Sequence, residues 1–162
     1  MYAVYSVELD IMVTGEPSDS FTNVIHVTNS GQNQAAPGDR MPLISIRPDE
    51  NKLHIGSYVN GEINHVFNSN EELKLNIWTN VRVQQTITNG KYIYAIYMDN
   101  HQKYVIPNKT PIDLYDLKVY ASSPWSSAPN AKIRNFKFTT CKAIVYSSVS
   151  SSNSYFNMLI FC

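Results

Sequence analysis

Charge is scarce in this chain. Asp, Glu, Lys and Arg make up 16% of its 162 residues, and thirteen of each sign cancel, where globular domains average about 25% charged. The basic residues are scattered, so nothing supplies the clustered positive surface that nucleic acid or an anionic membrane needs. No apolar run approaches the length required to cross a bilayer. Cysteine is equally sparse. Cys141 and Cys162 stand at the C-terminal end, where a bond between them would close only the tail, and two cysteines do not make a disulfide framework. There is no basic segment followed by an apolar run and a cleavage site at the start, so no signal peptide is expected within this chain. Glycine is low at six residues, and no segment sustains a helical period.

Eleven tyrosines stand against those six glycines. Aromatic and β-branched side chains suit a pleated, half-buried surface. Runs of period two recur with turn punctuation between them: Val7, Leu9 and Ile11 alternate with polar neighbours, Val24–Val27 and Leu43–Ile46 follow, and a polar loop spans Asn29–Arg40. About ten strands fit before Thr140, and that spacing favours an all-β sandwich over any α/β fold. A chain of this length buries roughly 70% of its unfolded surface as one domain. The expected division is a sandwich over 1–140 and a Ser-rich tail over 141–162. The tail reads either as a disordered linker with a docked end or as a segment foreign to the domain.

Turn chemistry fixes more than strand count. Asn60-Gly61 and Asn89-Gly90 are type I′ signals, since both central residues need positive φ. The first pairs Lys52–Tyr58 with Ile63–Phe67, which sets His54 opposite Phe67 and makes His65 its diagonal neighbour on the same face. The second pairs Ile87 with Tyr92, Gln85 with Tyr94, Val83 with Ile96 and Val81 with Met98, giving a largely apolar face destined for the core. A one-residue slip would exchange that face with Arg82, Gln84, Thr86, Ile93, Ala95 and Tyr97. At Asp99-Asn100-His101 a three-residue loop is expected, because it sets Tyr104 opposite Ile96 and Ile106 opposite Tyr94. Trp78 is expected in the core.

The order Trp78-x-x-Val81, an Asn-Gly turn, Tyr-x-Ile-Tyr-x-Asp99, Leu117-x-Val-Tyr120, Pro124-Trp125 and Ile133-x-Asn-Phe136 resembles the second half of domains in the concanavalin A-like lectin and laminin G-like superfamily. Asp39-Arg40-x-Pro42 and Leu53-His-Ile55 are similar to extracellular invertebrate members. The resemblance spans about residues 4–139. It implies a jelly-roll, antiparallel two-sheet sandwich, an extracellular or cell-surface location, and a non-catalytic module that binds carbohydrate or glycoprotein. A structural or adhesion domain cut from a larger protein is the alternative, and a glycan hydrolase ranks below both. Homodimers through edge strands are compatible with such a fold. Calcium is the one cofactor the resemblance allows. Asn100 departs from the family's usual Gly, and the lectin metal ligands, the glucanase carboxylates and the galectin sugar-binding set have no counterparts here.

Each chemical candidate has a structural alternative. Asp39 and Arg40 end the longest loop, where recognition usually lives, or they form an ion pair or turn that fixes it. Trp125, in a loop braced by Pro124 and Pro129, is either a platform for a sugar ring or a lid over the core, and the lid is favoured. Arg82 and Tyr97 contribute to binding if their face is open to solvent rather than covered by a second sheet. Asp99 and Asn100 could supply oxygen ligands to calcium, although their turn needs the same residues. His54 with His65 lacks a third metal ligand. Glu8 with Asp10 and Glu71 with Glu72 are carboxylate pairs without a catalytic motif; the first is expected on a solvated edge. The triplet Asn108-Lys109-Thr110 before Pro111 is a poor glycosylation acceptor.

Overall fold

The computed structural model describes residues 3–113 and 116–140 in full, and residues 141–150 and 153–161 by their backbone. It is all-β. The strands are β1 Val4–Val13, β2 Thr22–Thr28, β3 Leu43–Ile46, β4 Lys52–Val59, β5 Glu62–Glu72, β6 Thr79–Thr88, β7 Lys91–Met98, β8 His101–Pro107, β9 Lys118–Ala121, β10 Ala131–Ser150 and β11 Asn153–Phe161. They form two antiparallel sheets, in the orders β11-β10-β1-β6-β7-β8 and β5-β4-β3-β2-β9. Ten of the strands begin before Thr140, as the turn spacing predicts. The two sheets pack face to face as a jelly-roll sandwich. None of the described residues forms a helix long and apolar enough to cross a membrane.

Side-chain alternation explains the layers. In β1, Val7, Leu9, Ile11 and Val13 are buried while Ser6, Glu8, Asp10 and Met12 point outward. Val81, Val83, Tyr94 and Ile96 continue that inner face across β6 and β7. From the other sheet, Ile25, Val27, Ile44, Ile46, Leu53 and Ile55 meet them. Each such side chain, fully buried, stabilises the fold by about 1.5–3 kcal/mol before entropy is counted. Two polar ties cross the core. Ser57 and Tyr94 share a hydroxyl hydrogen bond of 2.7 Å. Asn108 donates to Gln85 Oε1 at 2.6 Å, and Gln85 donates to the Ala3 carbonyl. The Asn108 side chain also accepts from the Asn60 amide at 2.9 Å. Only 4% exposed, Asn108 is a structural residue with its amide already engaged.

The Asn89-Gly90 register is as the sequence predicts, pair for pair. The other two hairpins differ by bulges. In β5, one extra residue lies between Glu62 and His65, so His54 pairs with Asn68 and Ser57 with His65. That single insertion exchanges the faces. His65 turns inward to Tyr104 (2.7 Å) while His54 stays outside, so the two imidazoles are not neighbours. At Asp99-Asn100 the loop has two residues, both with positive φ (48° and 63°), and His101 already pairs with Met98. Lys103 is bulged out, which restores the expected Tyr104–Ile96 and Ile106–Tyr94 pairs. Freed from the ladder, Lys103 reaches Glu71 at 2.6 Å.

Two further expectations fail. Trp78 is not in the core: it precedes inward-facing Thr79, lies half-buried on the outside, and carries the Arg134 guanidinium 4.1 Å above its ring. Glu8 and Asp10 are not on an edge, because β1 sits between β10 and β6. The proposed Cys141–Cys162 bond lies outside the described residues, as do the side chains of the Ser-rich tail. The backbone of β10 runs on to Ser150 and pairs with β11.

Candidate functional site

The outer face of the five-stranded sheet is built from the residues that alternate with its core positions. Ile44 and Ile46 point in, so Leu43 and Ser45 point out; Leu53 and Ile55 point in, so His54 and Gly56 point out. On β2, His26 pairs with Leu43 and Asn23 with Ser45. The result is a groove of about 240 Å³ in which Asn23, Leu43, Ser45 and His54 form the floor, and Phe21, Asn33, Arg40 and Ser126 form the walls.

The floor is ordered by its own hydrogen bonds. Ser45 donates to Asn23 Oδ1 at 2.8 Å, and His54 Nδ1 donates to Asn68 Oδ1 at 2.8 Å. Phe21, 46% exposed, packs against the His54 ring with centroids 4.8 Å apart. The His54 pKa is held below its ordinary range, first by burial and then by the nearby Arg40 and Arg47 cations, with the Asn68 bond opposing.

Asp39 and Arg40 have separate roles. Asp39 is fully buried and organises the loop: Ala35 and Ala36 amides donate to Oδ2 at 2.6 and 2.7 Å, and Ser30 and Thr28 hydroxyls donate to Oδ1. Burial opposes ionisation of this carboxyl, yet those donors outweigh it and lower its pKa. No ion pair joins it to Arg40. The backbone of Arg40 is clamped, since its carbonyl accepts from the Tyr58 amide at 2.9 Å and the next amide donates to Val27 O at 2.8 Å. Its side chain crosses Gly56, where a Cβ would approach Arg40 Cδ to 3.3 Å and collide with Asn64 Oδ1. The guanidinium then donates to Asn64 Oδ1 at 2.5 Å and to two oxygens of Asn33 at 3.3 Å. Burial lowers its pKa.

Trp125 covers the outer face of the sheet, not the core. Its ring stands edge-on to His26 (5.3 Å) and Tyr120 (5.9 Å), and it remains 38% exposed. Its loop is tied to β2 by Asn23 N to Ser127 O and Ser122 N to Val24 O. Beneath it, His26 Nε2 donates to the Asp39 carbonyl at 2.6 Å, while Nδ1 has no partner among the described residues. Burial lowers the pKa of this ring, with the bond to the Asp39 carbonyl opposing.

The structure thus brings Arg40 and Trp125 to one surface and separates them from Arg82 and Tyr97. Those two lie on the outer face of the six-stranded sheet, uncovered by the other sheet, with Arg82 4.5 Å over the Tyr97 ring. Asp10, on the same side, accepts from Asn80, Asn135 and Arg134 at 2.8–3.0 Å. Asp99 spends Oδ1 on the Asn80 amide of β6 at 2.8 Å. Among the described residues, no group of three His, Cys, Asp or Glu is placed to hold a metal ion. Sequence reasoning missed Phe21, Asn23, Asn33 and Ser45. Asn23 and Ser45 were signalled only by outward phase in strands whose inward residues were obvious, and Phe21 and Asn33, in loops, had no such signal.

No known family model matches the sequence, and no curated protein matches it. Solved structures do share the fold. A heptameric, SAP-like pentraxin of Limulus polyphemus superposes with TM-score 0.56 at 13% identity, covering 85% of this chain and 64% of that one. A botulinum neurotoxin type C structure, whose cell entry depends on two ganglioside molecules, gives 0.57 at 18% identity, with 85% and 32% covered. A candidate carbohydrate-binding protein of Bacteroides ovatus gives 0.54 at 13%, with 85% and 37% covered. The chain therefore spans less than two thirds of the length of each.

Proposed function

We propose that this chain is a non-catalytic carbohydrate-recognition module of the concanavalin A-like group, working at the cell surface or outside the cell. Its site is the groove on the outer face of the five-stranded sheet. One observation carries the reading: an exposed aromatic wall, Phe21, stands beside amide and hydroxyl groups, Asn23 and Ser45 in the floor and Asn33 in the wall. A sugar ring offers the same two chemistries, an apolar C–H face for the aromatic and hydroxyls for the amides. Trp125 stands next to Ser126 at the rim and extends the aromatic wall. Gangliosides and carbohydrate figure in the descriptions of two proteins that share the fold, which adds support. Binding of immobilised glycans, with and without calcium, tests the reading. A positive result that Phe21→Ala weakens about tenfold is expected, whereas no binding in either condition would sink it.

A second reading is a structural or adhesion domain of a larger extracellular protein. Such a domain would recruit partner proteins through its edges and leave the groove without ligand.

A further inference from the structure

We infer that the groove selects sugars carrying an anionic group, a carboxylate or a sulfate, through the Arg40 guanidinium. This rests on the carbohydrate reading and narrows it. Arg40 is half-buried, and a cation taken out of water is ordinarily compensated by a carboxylate. Three other cations have carboxylate partners: Arg47 pairs with Glu50 at 3.0 Å, Arg134 with Asp10 at 3.0 Å, and Lys103 with Glu71 at 2.6 Å, while Arg82 lies over the Tyr97 ring instead. Arg40 meets only neutral oxygens, those of Asn33 and Asn64. Among the described residues no carboxylate lies within ion-pair distance of it, and none lines the groove.

The geometry leaves capacity as well as charge. A guanidinium has five N–H donors. Three go to the oxygens just named, which hold the fork in place over Gly56, and two remain. Fixed, charge-assisted donors of this kind are suited to an oxyanion. His54 across the floor adds no negative charge, and its own cationic form is disfavoured partly by Arg40 and Arg47. Neutral sugars would bind through Phe21, Asn23 and Ser45 alone and leave Arg40 uncompensated.

The test is a glycan array of matched sets in which each neutral oligosaccharide is printed beside its uronic or sialylated form and its sulfated form. It is probed with the wild-type chain and with Arg40→Gln and Asn64→Asp. The acidic members should bind at least tenfold more tightly than their neutral counterparts, and the preference should fall as salt rises. Both variants should erase it, the first by removing the charge and the second by neutralising it in place. Comparing carboxylated with sulfated members identifies which anion is favoured. Equal binding of neutral and acidic members would overturn the inference and leave the carbohydrate reading intact. Binding of no glycan would overturn both, and a preference that survives in folded Asn64→Asp would overturn the role of Arg40.

Discussion

Asn64 accepts a 2.5 Å hydrogen bond from Arg40 Nη1 directly above Gly56, the one residue of β4 whose missing side chain makes room for both. The contact ties the long loop to β5, and the extra residue in β5 lies beside it. Gly56→Ala should therefore push Asn64 and Arg40 apart. A destabilisation of about 1–3 kcal/mol is expected from the crowding. Urea unfolding measures it, and a change below about 0.5 kcal/mol would mean that the two side chains move aside freely.

Asn108 joins the Asn60-Gly61 turn to Gln85 in the core. Asn108→Ala strands the Gln85 side-chain oxygen and the Asn60 amide, each a buried or part-buried group, at about 1–3 kcal/mol per orphan. A loss of about 2 kcal/mol or more is predicted in urea, with unchanged m-value. Expression in a glycosylating host provides a second check. Asn108 should remain unmodified by mass spectrometry, because Pro111 directly after the triplet makes it a poor acceptor.

Stability should fall on mild acidification. Burial lowers the pKa of both His26 and His54, so the folded state prefers neutral rings while the unfolded chain takes up protons below about pH 6.5. Their contribution is complete above that value and is lost as pH drops through the lower folded values. Chemical unfolding at pH 7.5, 6.5 and 5.5 should give a declining series, and His26→Gln should flatten it. A stability that is constant or rises across this range contradicts the burial of these rings.

The tail over 141–162 is proposed to be separable from the sandwich. A chain ending at Thr140 keeps β10 paired with β1 from Thr140 to Ala131 and should melt within about 2 °C of the full chain. At this size a 1 kcal/mol loss corresponds to roughly 2–4 °C, so a larger drop would make β11 part of the folding unit.

Legibility divided along physical lines. The Asn89-Gly90 hairpin could be read pair for pair because its turn fixes φ and its faces differ sharply in polarity. The bulges at Lys103 and beside Asn64 left no local signature. The first was anticipated in its consequences, since pairing apolar Tyr104 with Ile96 demanded it. The second was not, and it moved His65 to the other face. Trp78 was misplaced because size was taken to imply burial, while the strand's phase gives the inward position to Thr79. Arg40 and Trp125 were identifiable as loop residues, but their convergence was not, since it depends on β2 and β4 flanking the short β3. Phe21 and Asn33 belong to loops, whose placement no periodicity encodes.

The central claim is that recognition belongs to the outer face of the five-stranded sheet. Chemical-shift mapping on uniformly 15N-labelled protein, titrated with the acidic oligosaccharide that binds most strongly on the array, tests it directly. Shifts concentrated at Phe21, Asn23, Asn33, Arg40, Ser45 and His54 are predicted, with Arg82 and Tyr97 unmoved. Shifts confined to the Arg82–Tyr97 face would contradict the account.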